Sequence, residues 1–233
     1  MAKKKILLLS DDLRMSSGVG TMSREIVLGT IKHYDWVQIG GAIKHPEEGK
    51  VVDMNDSIRK EYGIKDANLK IYPISGYGSP DLIRYMMNTE KPDAILHYTD
   101  PRFWGWLYQM EHELRRDIPI FYYNIWDDLP YPMWNEPFYE SCDLIMNISK
   151  QTVNIVDNVR RFKPVNDWDN TYVPHGINEK NFYPINELDV KEWGNLLNYK
   201  RNITEGKKYD FIVFWNNRNI RRKLPGDVLM AYK

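Results

Sequence analysis

The sequence has very little cysteine and no long apolar run, and each absence excludes a class of protein. Its only cysteine, Cys142, cannot form an internal disulfide, which is typical of a protein in a reducing compartment. No stretch reaches the roughly 18–20 apolar residues that a membrane-spanning helix needs. The charged start (KKK, residues 3–5) leads into an apolar run that is too short for a secretory signal peptide. The sequence therefore predicts a cytoplasmic protein without a membrane span.

The chain also lacks an excess of charge of either sign. Lysine plus arginine and aspartate plus glutamate both number 32, so the formal net charge at pH 7 is zero. A general nucleic-acid binder needs a basic excess to neutralise the phosphate backbone, so no nucleic-acid partner is predicted. The five histidines and the single cysteine show no zinc-ligand spacing. Neither a metal nor a cofactor is predicted.

What the sequence does contain is a regular alternation of apolar strand patterns with helix patterns. This alternation is typical of βαβ units and predicts an α/β fold with a Rossmann-like, doubly wound parallel sheet. We expect residues 1–175 to form this domain, residues 176–208 to be a polar linker, and residues 209–233 to begin a second domain. Strands are predicted at 5–10, 36–43, 68–74, 93–98, 118–123, 142–147 and 171–173, and helices at 22–31, 79–87, 101–115 and 149–159.

The last 25 residues have the pattern of a strand, a cationic loop and a helix start. Residues 211–215 (FIVFW) are continuously apolar, as expected of a strand buried on both faces. A basic loop with Arg218 and Lys223 follows, and Asp227 can cap the next helix. In α/β proteins this arrangement holds a phosphate. The helix is unfinished at Lys233, so we expect a truncated second domain that packs on the preceding sheet or on a second copy, as a homo-oligomer.

Ligands of such sheets bind outside the carboxyl ends of the strands, so the loops after each strand hold the candidate residues. Gly18, Gly20 and Thr21 follow the first strand. Their amides can face an anion or a sugar hydroxyl, or the glycines can serve only a tight turn. The dinucleotide fingerprint is incomplete, because Ser23 stands where the third glycine belongs. Asp100 ends the 93–98 strand and can cap the next helix, bind a ligand, or do both.

Two further loops contain candidate residues. Asp127 and Asp128 stand beside Trp126 in NIWDDLPYPMW, which indicates either a sugar or nucleotide pocket or a solvated acidic loop. His175 follows the last strand of the sheet, and a lone histidine is more often structural than catalytic.

Taken in order, the motifs resemble the retaining glycosyltransferases of family 4, which have the two-domain GT-B fold. The residues that carry the resemblance are the SSGVGTM loop, the YESCDLIMNIS segment before a capped helix, VPHGINEKNFYP, and a strand followed by NNRNIRRK. The resemblance covers essentially the whole chain. It implies that residues 1–175 are the acceptor-binding domain, and that Arg218 and Lys223 bind the diphosphate of a nucleotide-sugar donor.

The resemblance also implies the remaining functional assignments. Asp100, Trp126 and His175 would line a pocket for a carbohydrate, glycan or glycoprotein acceptor. Asp127 or Asp128 would take the place of a catalytic histidine that many family members have near the reacting sugar.

Such enzymes often need no metal, because two cations neutralise the charge of the leaving diphosphate. The D-x-D pattern of Asp167 and Asp169 lies in a polar loop with no strand leading into it, so it is not predicted to bind a metal.

Two alternatives remain open at the level of sequence. The first is a non-catalytic module that binds a sugar, a nucleotide or a partner chain. The second is another α/β nucleotide enzyme, such as a reductase or epimerase. The incomplete fingerprint and the absence of a Tyr-x-x-x-Lys pair argue against this last class.

Overall fold

The computed structural model describes residues 2–42, 46–161, 169–217 and 223–232. The chain divides into two compact units, residues 1–178 and residues 179–233, and each is described by itself.

The first unit is built on one sheet of eight strands. Seven strands run parallel, and the two-residue strand at one edge pairs antiparallel with its neighbour. The strands are β1 (Lys4–Asp11), β2 (Tyr34–Gly41), β3 (Val52–Asp53), β4 (Leu69–Pro73), β5 (Ala94–Tyr98), β6 (Ile120–Asn124), β7 (Leu144–Asn147) and β8 (Asn170–Tyr172).

The order of these strands identifies the fold class. Across the sheet it is β3-β4-β2-β1-β5-β6-β7-β8. Counted along the chain, the seven parallel strands therefore stand in the order 3-2-1-4-5-6-7, which extends the 3-2-1-4-5-6 order of the Rossmann fold. The prediction of a Rossmann-like, doubly wound α/β sheet is confirmed. The winding reverses between β1 and β5, so a ligand crevice is expected at their carboxyl ends.

Helices cover the two faces of the sheet unequally. Neighbouring residues of β1 point to opposite faces: Leu7 and Leu9 belong to one core cluster and Leu8 to the other. The first cluster is covered by α3 (Pro80–Thr89), α4 (Gly105–Gln109), α5 (Glu111–Leu114), α6 (Glu136–Glu140) and α7 (Lys150–Val159), and the second by α1 (Gly18–Thr30) and α2 (Asn55–Tyr62).

Serine caps set the starts of α3 and α7. Ser79 Oγ accepts from the Leu82 amide at 3.3 Å and Ser149 Oγ accepts from the Thr152 amide at 3.0 Å, as the sequence predicts for α3 and α7. The continuous helix predicted at 101–115 is wrong. A 3₁₀ turn (Pro101–Trp104) and the short helices α4 and α5 replace it, because the backbone leaves helical geometry at Trp104 and Met110. Both of these side chains are buried against the sheet, so tertiary packing overrides the local helical pattern.

Cys142 is a core residue, as its apolar surroundings predict. It is buried, its Sγ donates to the Phe138 carbonyl at 3.2 Å, and burial raises the pKa of its thiol well above the usual range. The thiol therefore stays protonated and unreactive at neutral pH.

A wide apolar trough of about 850 Å³ lies on the α1 side of the sheet. Phe121 and Met146, from β6 and β7, form part of its floor, and Met22 and Ile26 of α1 form part of its wall. The half-buried side chains on this part of the sheet contrast with the fully covered opposite face.

The second unit contains two helices in its described part, α8 (Val190–Ile203) and α9 (Pro225–Tyr232), and neither has a buried residue. The polar linker predicted at 176–208 therefore contains a helix that the sequence interpretation missed. Asp189 caps α8 by accepting from the Glu192 amide at 3.1 Å.

The strand predicted at 211–215 is absent from the described residues of this unit. The side chains of this segment are exposed, and no strand pairs with it in the part of the unit that the structure describes. An apolar run becomes a strand only when a neighbouring strand supplies its hydrogen bonds.

Candidate functional site

The glycine-rich segment after β1 forms the first turn of α1. The sequence pattern predicts a helix from residue 22, but the helix begins at Gly18, because Ser17 caps it. Ser17 Oγ accepts from the Gly20 amide at 3.0 Å, and the Ser17 carbonyl accepts from the Thr21 amide at 2.8 Å. Among the described residues, the amides of Gly18 and Val19 have no hydrogen-bond partner. They stand at the positive end of a 13-residue helix, which favours an anion.

The two glycines of this turn have different roles. A Cβ on Gly20 would lie 2.7 Å from the Met15 carbonyl oxygen and 2.9 Å from the Asp12 carbonyl oxygen, so Gly20 permits the close approach of loop and helix. A Cβ on Gly18 would meet nothing within 4 Å. Gly20 is therefore required by packing, whereas Gly18 borders open space.

That open space belongs to a cavity of about 590 Å³ at the carboxyl ends of the strands. One wall is the start of α1, and the other comes from the ends of β5, β6, β7 and the segment after β8. The lining residues are Ser16, Ser17, Gly18, Val19, Thr21, Met22 and Arg24 on the helix side, and Tyr98, Ile125, Ile148 and His175 on the sheet side. The cavity thus lies at the topological switch point, where the strand order predicts a ligand.

Arg24 is a functional candidate that the sequence interpretation missed. It is half-buried, and the structure gives it no ion pair or hydrogen bond within the described ranges. Since Ser17, Thr21 and Arg24 are spaced at four and three residues, they share one face of the helix. The sequence contains this spacing, but it indicates a shared face only if the helix begins at Gly18.

The sheet side of the cavity presents neutral polar groups. The His175 ring lies edge-on to the rings of Tyr98 and Tyr123, with centroid distances of 6.0 Å and 5.4 Å. Desolvation of the ring lowers the pKa of His175, so the imidazole is neutral at pH 7. Burial raises the pKa of Tyr98 well above its usual range, so its hydroxyl keeps its proton. Both can hydrogen-bond a ligand without adding charge.

Asp11 ends β1 beside the cavity and is a second candidate that the sequence interpretation missed. Its Oδ2 accepts from Ser17 Oγ at 3.3 Å, and its Oδ1 is buried without a hydrogen-bond partner in the described part of the chain. Burial raises the pKa of this carboxyl, and the bond from Ser17 opposes the rise. The negative charge of Asp11 also contributes to the raised pKa values of Tyr77 and Tyr98, in which burial is the larger cause.

Asp100 and Trp126, predicted to share a pocket with His175, do not line this cavity. Asp100 caps the 3₁₀ turn: its Oδ1 accepts from the Arg102 amide at 3.0 Å, and its carboxylate accepts from the Arg102 guanidinium. Burial opposes ionisation, but the bonds from Arg102 hold the pKa of Asp100 below its usual value. The Arg102 guanidinium lies 5.1 Å from the centre of the Trp126 ring, so these three residues form a cluster of their own.

Asp127 and Asp128 are exposed and contribute to the loop that carries Trp126. Asp128 Oδ1 accepts from the Leu129 amide at 3.0 Å, and the Asp128 carbonyl accepts from Trp126 Nε1 at 3.1 Å. The Asp127 carbonyl accepts from Gln151 Nε2 at 3.2 Å. Neither aspartate lines the cavity, and their catalytic role stays a prediction.

The remaining predicted residues fall partly outside the described ranges. Arg218 and Asp167 lie outside them, whereas Lys223 stands half-buried just before α9 in the second unit. Within residues 2–42, 46–161, 169–217 and 223–232, no group of three or more histidine, cysteine, aspartate or glutamate side chains is placed to hold a metal. Over the same ranges, no helix has the length and apolarity to cross a bilayer.

A ladder of buried asparagines supports the loops around the site. Asn124, Asn147 and Asn170 come from β6, β7 and β8. Asn124 Nδ2 donates to Asn147 Oδ1 at 3.2 Å, and Asn147 Nδ2 donates to Asn170 Oδ1 at 2.6 Å. Asn124 Oδ1 accepts from the Trp126 amide at 3.1 Å. The ladder thus ties the carboxyl ends of β6 and β7 and the start of β8 to the loop after β6.

Comparison with known proteins gives no family assignment. No family model matches the chain, and no curated protein matches it. One matching solved structure is the N-terminal domain of a putative aldolase from Bacteroides vulgatus, with 14% identity and a TM-score of 0.34 over 89% of this chain and 82% of that chain. This likeness assigns no function, and the fold class stands on the strand order itself.

Proposed function

We propose that this chain carries the acceptor-binding domain of a retaining, family-4-like glycosyltransferase, and that the Gly18 cavity binds a phosphate group of its nucleotide-sugar donor. The observation that supports this most is the meeting of two anion-binding features in one cavity. The amides of Gly18 and Val19 are open at the start of α1, and Arg24 lines the same space without an ion pair in the described residues.

The chemistry of glycosyl transfer suits such a cavity. The leaving group is a nucleoside diphosphate, and its negative charge grows as the bond to the sugar breaks. Backbone amides at a helix start and a guanidinium stabilise that charge without a metal. The neutral His175 and Tyr98 on the opposite wall can bond sugar hydroxyls.

The resemblance in sequence adds Arg218 and Lys223 as ligands of the donor diphosphate. Arg218 lies outside the described residues, so this part of the proposal rests on the sequence pattern alone. A carbohydrate or glycan acceptor, a metal-independent reaction and a cytoplasmic location belong to the same proposal.

A binding module without turnover is a second candidate, because the predicted catalytic residues Asp127 and Asp128 do not line the cavity. Such a module would hold a nucleotide or sugar in the same place and release no product.

The test is a donor screen. The chain is incubated with UDP-, GDP- and ADP-sugars, with and without simple saccharide acceptors, and release of the nucleoside diphosphate is measured with and without a chelator. We expect release from one class of donor that continues in the chelator. Binding of a nucleoside diphosphate without release from any donor would favour the binding module. The absence of both binding and release would overturn the proposal.

A further inference from the structure

A second cluster of side chains at the carboxyl edge of the sheet is aromatic, with two exposed and two half-buried rings. We call Tyr77, Phe103, Trp126 and Trp134 the aromatic platform. Tyr77 follows β4, Phe103 follows β5, and Trp126 and Trp134 follow β6, so loops after three different strands contribute to it. Phe103 is 53% exposed and Trp134 is 56% exposed, which is unusual for side chains of this size.

The platform rings form two contacting pairs, and one of the rings also bonds to the backbone. Tyr77 and Phe103 stack in parallel at 4.7 Å, with an angle of 6° between their planes. Trp126 and Trp134 meet edge to face at 6.1 Å. Trp126 Nε1 donates to the Asp128 carbonyl at 3.1 Å. A surface that is ordered before a ligand arrives loses little conformational entropy on binding.

Polar groups stand at the rim of these rings. The Arg102 guanidinium is held in a fork by the Asp100 carboxylate and lies over the Trp126 ring. The charges of Asp11 and Asp100 both act on the Tyr77 hydroxyl, so carboxylates stand near this end of the platform as well. Because Arg102 is already neutralised by Asp100, the rim offers fixed donors and acceptors but little attraction for an anion.

This combination fits a saccharide. One face of a pyranose ring presents C–H bonds, whose partial positive charge packs on the electron-rich face of an aromatic ring. Its hydroxyls point outward from the ring and both donate and accept hydrogen bonds. A site with flat apolar walls and a few fixed polar groups has the general character of a small-molecule site.

We propose that the aromatic platform binds a neutral pyranose unit, with the sugar face on Trp126, Trp134 or Phe103 and its hydroxyls bonded to Asp100 and Arg102. The proposal rests on the proposed function in one respect: the bound saccharide would be the acceptor of the transferred sugar. The competing occupant is another protein surface, since exposed tryptophan and arginine side chains are also common at protein interfaces.

The experiment is a binding titration of the 233-residue chain with glucose, galactose, mannose, N-acetylglucosamine and their common disaccharides. Intrinsic tryptophan fluorescence and saturation-transfer NMR on the wild-type chain are the readouts. We expect at least one of these sugars to bind, with saturation transferred to the protons on one face of its ring. We expect Trp134→Ala and Phe103→Ala to weaken binding at least fivefold. Arg102→Lys, which keeps the charge but loses the fork to Asp100, should weaken it as well.

The matched control is Tyr85→Ala, an exposed aromatic residue on α3 away from the strand ends. It should leave the affinity unchanged. No binding of any sugar, or an equal loss of affinity in Tyr85→Ala, would overturn the proposal. Self-association that Trp134→Ala abolishes, without sugar binding, would overturn it in favour of a protein interface.

The same titrations separate this proposal from the proposed function. Arg24→Ala should weaken the binding of a nucleoside diphosphate and leave the affinity for the sugar unchanged. If the chain binds sugars but no nucleoside diphosphate, the platform proposal stands and the phosphate site is wrong. If it binds a nucleoside diphosphate but no sugar, the phosphate site stands and the platform proposal is wrong.

Discussion

Asn147 Nδ2 donates a hydrogen bond of 2.6 Å to Asn170 Oδ1, and this bond joins β7 to β8 beneath the candidate site. Both side chains are buried, so neither can exchange its partner for water. Since Asn147 ends β7 and Asn170 begins β8, the bond helps to hold β8, the strand that leads to His175, beside β7.

We predict that Asn147→Leu lowers the free energy of unfolding by about 1–3 kcal/mol, because it removes the partner of Asn170 Oδ1 and one of the two partners of Asn124 Nδ2. Urea denaturation measures this difference. Asn158→Ala is the matched control: Asn158 is exposed on α7, and among the described residues its side chain bonds only to Asn154, so its effect should stay within about 0.5 kcal/mol. Equal effects of the two changes would contradict a structural role for the ladder.

The two glycines of the first turn of α1 should respond oppositely to alanine. Gly20→Ala places a methyl group against two carbonyl oxygens and should lower the free energy of unfolding by about 1–3 kcal/mol. Gly18→Ala meets no atom and should be neutral or raise it by up to about 1 kcal/mol, since alanine restricts the unfolded chain. Thermal unfolding of both variants checks this. Equal destabilisation would show that the open space at Gly18 is wrongly assigned.

His97 should make the fold sensitive to acid. The ring is buried, stacks on Tyr122 at 5.1 Å, and has its Nδ1 2.5 Å from the Tyr108 hydroxyl. Burial lowers the pKa of His97 to about 3, and the charge of Asp100 opposes the shift. Because the unfolded chain binds this proton near pH 6.5 and the folded chain does not, stability is lost as the pH falls from about 6.5 towards 3.

Between pH 7 and pH 5 the loss in the free energy of unfolding amounts to about 2 kcal/mol. His97→Phe should abolish this pH-dependent loss, although we expect the variant to be less stable than the wild type at pH 7. The measurement is the free energy of unfolding of both proteins at the two pH values. A variant with the same pH dependence as the wild type would show that His97 is not the cause.

The sheet was predictable from sequence because its strands are local apolar runs and two of its helices start at serine caps. Residues 94–98 and the helix after Ser149 need no distant partner to be recognised. The failures involve distant contacts. Residues 211–215 have the composition of a strand, but a strand forms only beside another one. The helix Val190–Ile203 was missed because residues 176–208 are polar overall, although Val190, Trp193 and Leu197 have helical spacing.

The candidate site was predictable in part for the same reason. Gly18 follows the first strand, and the rule that ligands bind at the carboxyl ends of strands applies before the strand order is known. Arg24 was not predictable, because it reaches the cavity only if the helix begins at Gly18 rather than at residue 22. The separation of His175 from Asp100 and Trp126 depends on which strands are neighbours, and spacing along the chain does not contain that information.

The most direct measurement of the central claim is the affinity of the chain for UDP, GDP and ADP, compared with that of Arg24→Ala. Arg59→Ala is the control, since Arg59 is an exposed arginine on α2 paired with Asp56 at 3.1 Å. A guanidinium–phosphate contact predicts that Arg24→Ala weakens binding of the preferred nucleotide by about tenfold or more, with no change in Arg59→Ala. Failure of all three nucleotides to bind, or equal affinities of the wild type and Arg24→Ala, would contradict the assignment of a phosphate site to this cavity.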